Sequence, residues 1–158
     1  MATVEMLRKI SLFSDFSDDE IGKLAPLFRE RSYPEGEVII PEQADNREMV
    51  ILISGAVAVE VALTLHNQSE RLSLSMEEEA GRIIEWSSAI DTTRSGGTAS
   101  ARAISLTRVL AADGEAILKV CDENPRLGYR LMRRILLLIA SRLKDTRMQL
   151  VSSLAQYT

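Results

Sequence analysis

Residues 49–65 read MVILISGAVAVEVALTL, two apolar runs joined by Ser54-Gly55. In the second run every other residue is large and apolar: Val57, Val59, Val61, Leu63 and Leu65. A period of two places these side chains on one face of an extended chain. The glycine marks a turn, so the segment predicts two strands, of which the second is half-buried.

Shorter segments of the same kind lie on either side. Turn residues at 33–37 precede an apolar run at 38–40, and large residues alternate again over 72–76. Residues 98–104 and 106–111 predict two further strands. Many short strands separated by turns are typical of a closed or sandwiched β structure. We therefore expect residues 33–112 to form such a structure.

The flanking regions have helical spacing. Residues 1–32 predict N-terminal helices, in which Ser17 and Glu20 form a capping box, and Pro26 kinks or ends the helix that follows. Residues 113–158 predict C-terminal helices: Asp113 is the N-cap of the first, and Asn124-Pro125 separates it from the second. We expect all 158 residues to form a single domain, mainly β with flanking helices.

The last helix carries a heptad-like stripe. Its members are separated alternately by four and three residues: Met132, Leu136, Ile139, Leu143, Thr146 and Leu150. This spacing is typical of a coiled-coil seam. A second stripe occupies another face of the first half only: Leu127, Leu131, Ile135 and Leu138. We predict that the first half packs on its own domain. The seam predicts a homodimer, with Met132, Leu136, Ile139, Leu143 and Leu150 in the interface.

Composition narrows the function classes. The net charge of −4 and the pI near 5.1 argue against a large nucleic-acid footprint. The single Cys121 and the single His66 make neither a disulfide nor a convincing metal site. No apolar stretch has the length of a signal peptide or a membrane span, so a cytoplasmic location without membrane association is the expectation. No nucleophile–base constellation, phosphate-binding loop or zinc motif is present, so we do not expect an enzyme.

The order of several segments resembles the cyclic-nucleotide-binding domain, the ligand-sensing half of the catabolite activator protein and its relatives. The segments are YPEGEVII at 33–40, ISGAV at 53–57, TASARA at 98–103, Asn124-Pro125, and a long helix containing SRL at 141–143. The resemblance covers essentially the whole chain. It implies an eight-stranded double-stranded β-helix (a β-roll or jelly roll), N-terminal helices and a long dimerisation helix. The family's transcription factors continue into a DNA-reading module, whereas this chain ends at Thr158, so direct DNA binding is not expected.

The resemblance also implies where a ligand would bind. The family holds a cyclic phosphate with backbone amides of a short helix and one arginine, and binds the ribose with a glutamate. The cassette corresponds to residues 81–100 here. With the adenine-contacting threonine of the last helix, the implied ligand site comprises Ile84, Glu85, Trp86, Ser87, Ser88, Arg94, Gly97, Thr98, Ala99 and Thr146.

Three of these positions depart from the family pattern. Glu85 replaces a glycine, Trp86 replaces the ribose-binding glutamate, and Gly97 replaces the phosphate-binding arginine. Losing a charge-assisted hydrogen bond of about 1.5–3 kcal/mol costs roughly one to two decades of affinity. Arg94 is the candidate replacement for that arginine, and a solvated loop residue is the alternative. Thr146 either contacts the ligand or sets the register of the dimer. Trp86 either packs at the edge of the pocket or in the core, or stacks on a ligand.

Two functional hypotheses follow. The first is a regulatory module that senses a small molecule with weak or altered specificity: it binds cyclic AMP or cyclic GMP weakly, or a different ligand such as another anion or an apolar effector. The alternative is a ligand-independent module for dimerisation or for docking a partner protein. A cyclic nucleotide is the ligand that the resemblance implies, and the sequence predicts no other cofactor and no metal.

Overall fold

The computed structural model describes residues 1–42, 46–65, 68–90 and 99–157. Its α-helices and strands in chain order are α1 (Val4–Arg8), α2 (Asp18–Leu24), β1 (Arg29–Tyr33), β2 (Val38–Ile40), β3 (Glu48–Ser54), β4 (Val57–Leu65), β5 (Gln68–Glu77), β6 (Ile83–Glu85), β7 (Ser100–Ala103), β8 (Thr107–Asp113), α3 (Gly114–Glu123) and α4 (Pro125–Ala155). Short 3-10 helices occupy Ser11–Phe13, Ala25–Leu27 and Ser87–Ala89.

The strands form two four-stranded sheets with all pairs antiparallel. Their orders are β1-β8-β3-β6 and β2-β7-β4-β5. The mainly β fold with a long C-terminal helix is confirmed, as are the strands expected from alternation. The β region begins at Arg29, within the segment that the sequence assigns to N-terminal helices. Because β1 reads RERSY and is largely exposed, it lacks the apolar alternation that identifies a strand.

The N-terminal capping signals form as expected. Ser17 Oγ accepts from the Glu20 amide at 3.2 Å, and the Glu20 carboxylate accepts from the Ser17 amide at 3.0 Å. The helix ends at Leu24, and Pro26 lies in the 3-10 turn that follows. Since proline offers no amide and fixes φ, the α-helical hydrogen-bonding pattern does not continue through it.

Two hydrophobic clusters lie on opposite faces of the first sheet. Met49 and Ile51 of β3 face the helices, where they pack with Leu110 and Ile117. Val50 and Leu52 of the same strand belong to a second cluster that draws residues from both sheets: Ile40, Val50, Leu52, Val57, Ala101, Val109 and Ala111. Strand β3 is therefore buried on both faces, which explains why its sequence is continuously apolar rather than alternating.

Helix α4 packs on the domain along its first half only. Leu127, Leu131 and Ile135 are each 1% exposed, and they join the cluster between the helices and the first sheet. From Leu143 to Tyr157 every residue is exposed. Within the described parts of the chain, no helix combines the length and hydropathy needed to cross a bilayer.

Candidate functional site

The candidate cassette begins on a short edge strand. Strand β6 pairs with β3, and its neighbouring side chains enter different cores. Ile83 packs among the helices, whereas Ile84 packs against the cluster between the sheets. The short helix Ser87–Ala89 follows directly, and its Ala89 is fully buried. Alternation along β6 thus anchors the cassette to both cores.

The Glu85 carboxylate is bound by the cassette itself. Its Oε1 accepts from the Ser87 amide at 2.6 Å and also from the Ser87 hydroxyl. The Ser87 amide belongs to the first turn of the short helix, where amides have no partner within the helix. An internal carboxylate therefore occupies two donors at the end of the cassette where an anion would bind.

Trp86 packs against the core beside the helices. Its ring is partly buried there, and its backbone carbonyl accepts from the Ala89 amide at 3.1 Å. Among the described residues, no hydrogen bond from the indole N–H to another group is formed. This placement gives the tryptophan a packing role at the boundary of the cassette.

Arg142 of α4 contacts the cassette, at a position for which the sequence pattern predicts no role in ligand binding. Its guanidinium donates to the backbone carbonyl of Ile83. Burial lowers the pKa of Arg142, and the nearby charge of Arg82 lowers it further, while Glu77 and Glu85 act in the opposite direction. A signal was present in the sequence, because position 142 continues the inward-facing stripe that runs through Leu138.

Thr146 lies one helical turn after Arg142 on α4. It is exposed, and its hydroxyl donates to the Arg142 carbonyl of the previous helical turn at 2.9 Å. Within the described ranges it forms no hydrogen bond with residues 84–87. A contact between Thr146 and a ligand stays a prediction.

The second half of the cassette is only partly described. Arg94, Gly97 and Thr98 lie outside the described residues, and so does His66. Ala99 is half-buried just before β7, and beyond it Arg102 forms a bidentate ion pair with Glu60, at 2.9 and 3.1 Å. The hydrogen bonds from Arg102 lower the pKa of Glu60, which is 6% exposed.

Three arginines around the described cassette already have partners. Arg102 binds Glu60, Arg82 lies 2.7 Å from the Glu77 carboxylate, and Arg142 binds a backbone carbonyl. Arg82 and Arg102 could not replace the arginine that is absent at position 97 without losing these contacts, whereas the buried Nε of Arg142 forms no hydrogen bond within the described residues. No group of three or more potential metal ligands occurs in the described part of the chain.

Comparisons with solved structures identify the fold. A cyclic nucleotide-binding domain from Methylobacillus flagellatus is 23% identical with a TM-score of 0.78, and the match covers 95% of this chain and 81% of that one. A Geobacter metallireducens protein assigned to the cyclic nucleotide-binding proteins is 26% identical with a TM-score of 0.75, covering 90% and 99%.

A more distant match is the regulatory domain of the Toxoplasma gondii protein kinase PKA, crystallised with cyclic AMP. It is 14% identical with a TM-score of 0.67, covering 90% of this chain and 48% of that one. No protein-family model and no curated protein matches the sequence. The chain has the fold of the cyclic nucleotide-binding domain, which is the fold that the resemblance in its sequence implies.

Proposed function

We propose that the chain is a regulatory, non-catalytic module that binds a small molecule at the cassette, with a specificity that differs from that of ordinary cyclic nucleotide sensors. The supporting observation is the retained cassette element. Strand β6 and the helix Ser87–Ala89 are anchored to both cores within a fold shared with proteins solved as cyclic nucleotide-binding domains.

The residues that would contact the ligand differ from those of ordinary cyclic nucleotide sensors. Glu85 brings a negative charge to the start of the short helix, where a cyclic phosphate would be repelled. Trp86 offers no acceptor to a ribose hydroxyl. With Arg82 and Arg102 already paired, Arg94 stays the predicted candidate for an anion contact in the cassette.

A thermal-shift titration with cyclic AMP and cyclic GMP tests this function. The wild type and an Arg94→Ala variant are compared up to millimolar nucleotide. We expect a small, dose-dependent rise in melting temperature for the wild type, because a ligand that binds only the folded state stabilises it. We expect Arg94→Ala to abolish the rise.

Different results would contradict the role of Arg94 and the sensor function. A rise that is equal in Arg94→Ala would remove Arg94 from the site and leave the sensor function in place. The absence of any shift with nucleotides, followed by none with a panel of other metabolites, would overturn the sensor function. A matched control is Arg133→Ala, which removes an equal charge from the exposed face of α4.

A second candidate function is a ligand-independent dimerisation or docking module. The observation that favours it is the internal contact between Glu85 and Ser87, because donors that are satisfied from within need no ligand. A ligand retained through purification and identified by mass spectrometry of the denatured protein would contradict this candidate.

Under either function we propose a homodimer that forms through α4. The seam residues Leu136, Leu143 and Leu150 are 64%, 50% and 59% exposed in the single chain. Their spacing of seven residues suits a second copy of the same helix, in which each seam covers the other. Sedimentation equilibrium would then give twice the chain mass of 17.5 kDa.

A further inference from the structure

We infer that Glu85 is a specificity-determining residue that selects against anionic ligands by occupying the donors of the cassette with its own carboxylate. This inference rests on the proposed ligand-binding function and deepens it. It assigns the site to ligands without a negative charge at this position, such as a nucleoside rather than a nucleotide.

Two hydrogen bonds between Ser87 and Glu85 support the inference. The backbone amide and the side-chain hydroxyl of Ser87 both donate to Oε1 of Glu85, the former at 2.6 Å. Hydrogen bonds to an ionised acceptor are stronger than neutral ones. A ligand phosphate that approached Ser87 would therefore have to displace a carboxylate that is already bound there.

Charge adds to this competition. Glu85 is half-buried, so its field is screened less than that of a surface carboxylate. If a phosphate displaced the Glu85 carboxylate, that carboxylate would still lie close to the phosphate, because Glu85 is only two residues from Ser87. The two negative charges would then repel each other. An uncharged ligand meets neither obstacle, because it need not compete for the Ser87 donors.

Within the described part of the cassette, the nearby arginines have other hydrogen-bond or ion-pair partners than Glu85. Arg142 lies near enough to Glu85 to interact electrostatically, but it donates to the Ile83 carbonyl. Arg82 is paired with Glu77. Among the described residues, no cation is hydrogen-bonded to the Glu85 carboxylate. The carboxylate thus keeps its charge available to repel an anion.

The test compares cyclic AMP with adenosine, which has the same base and ribose but no phosphate. Affinities are measured by NMR chemical-shift titration of the full chain for the wild type, Glu85→Gln and Glu78→Gln. Glu85→Gln removes the charge and keeps the shape. We expect it to strengthen cyclic AMP binding by at least about tenfold and to leave adenosine binding within about twofold. Glu78→Gln, the same charge change in an exposed turn, is expected to alter neither.

A ligand-free measurement accompanies the titration. In Glu85→Ala the acceptor is absent, so hydrogen exchange of the Ser87 amide is expected to accelerate by about tenfold or more. Unchanged exchange would overturn the inference by showing that the contact does not hold in solution. An equal change for both ligands in Glu85→Gln, or no change, would overturn it and leave the ligand-binding function standing. If neither compound binds any variant while Ser87 exchange still accelerates, the binding function fails and the inference fails with it.

Discussion

Gly55 stands in the turn between β3 and β4 with φ of +97°, a conformation that residues with a side chain rarely adopt. A Cβ atom there would lie 2.5 Å from the Leu106 carbonyl oxygen and 2.7 Å from the Thr107 hydroxyl oxygen. Thr107 is fully buried, and its hydroxyl lies within hydrogen-bond distance of the Ala56 and Ser105 carbonyls. The turn is therefore constrained both by its dihedral angle and by its neighbours.

We predict that Gly55→Ala lowers the free energy of unfolding by about 2–4 kcal/mol. The alanine strains the backbone at this positive φ, and its Cβ also overlaps neighbouring atoms. Urea denaturation followed by circular dichroism at one fixed protein concentration measures the change. Gly22→Ala is the control, since a Cβ there meets nothing within 4 Å and the site is helical. It is expected to raise stability by up to about 1 kcal/mol. Equal effects of the two substitutions would contradict the argument.

The residues of the candidate site could be predicted from the sequence only in part. Motif spacing identified Glu85 as a departure from the family pattern, because residue types are read directly from the sequence. The contact from Glu85 to Ser87 depends on how the backbone turns between β6 and the short helix, and no periodicity specifies that turn. The stripe through Leu138 indicates that Arg142 faces the domain, but it does not identify the partner, because that partner is a backbone carbonyl, which every residue has.

Helices α3 and α4 approach each other closely at Gly128. A Cβ atom on Gly128 would lie 2.9 Å from both the Cβ and the backbone oxygen of Cys121. The glycine interrupts a helix that otherwise has good helix formers, which indicates that close packing outweighs the loss of helix propensity. The free thiol of Cys121 is buried at this crossing, and burial raises its pKa.

We predict that Gly128→Ala destabilises the protein by about 1–3 kcal/mol, despite the better helix propensity of alanine, because the backbone oxygen must move. Thermal and urea unfolding measure the effect. The control Ser141→Ala changes an exposed position of the same helix and is expected to stay within about 0.5 kcal/mol of the wild type. A Gly128→Ala variant that is more stable than the wild type would show that the two helices can separate at little cost.

Elements were predictable from sequence where one physical signal dominated. Strand β4 and the two C-terminal helices followed from their period, from the Asp113 cap and from Pro125. Strand β1 was missed because its pairing with β8 is a tertiary contact between residues far apart in sequence. Burial of the first half of α4 was predicted, because the stripe through Leu127 is present in that half alone.

At the scale of the whole molecule, the proposed dimer depends on the seam of α4. We predict that Leu143→Glu converts the dimer to a monomer, because two carboxylates would face each other in an apolar interface. Light scattering coupled to size-exclusion chromatography measures the molar mass. Leu137→Glu is the matched control, since Leu137 is 56% exposed and lies off the seam, beside Arg133 and Arg134. A dimer that persists in Leu143→Glu, or a monomeric wild type, would contradict the proposed interface.

Helix α4 also has a mechanical consequence. Its 31 residues span about 46 Å, and the last 13, from Leu143 to Ala155, extend for about 20 Å past Arg142 with every side chain exposed. The attachment point is close to β6, because Arg142 binds the carbonyl of Ile83. A tilt of α4 by about 5° at Arg142 displaces its C-terminal end by about 2 Å. Helix shifts of this size occur in known switching proteins. We therefore expect the distal segment of α4 to carry small movements of the cassette to the seam of the proposed dimer.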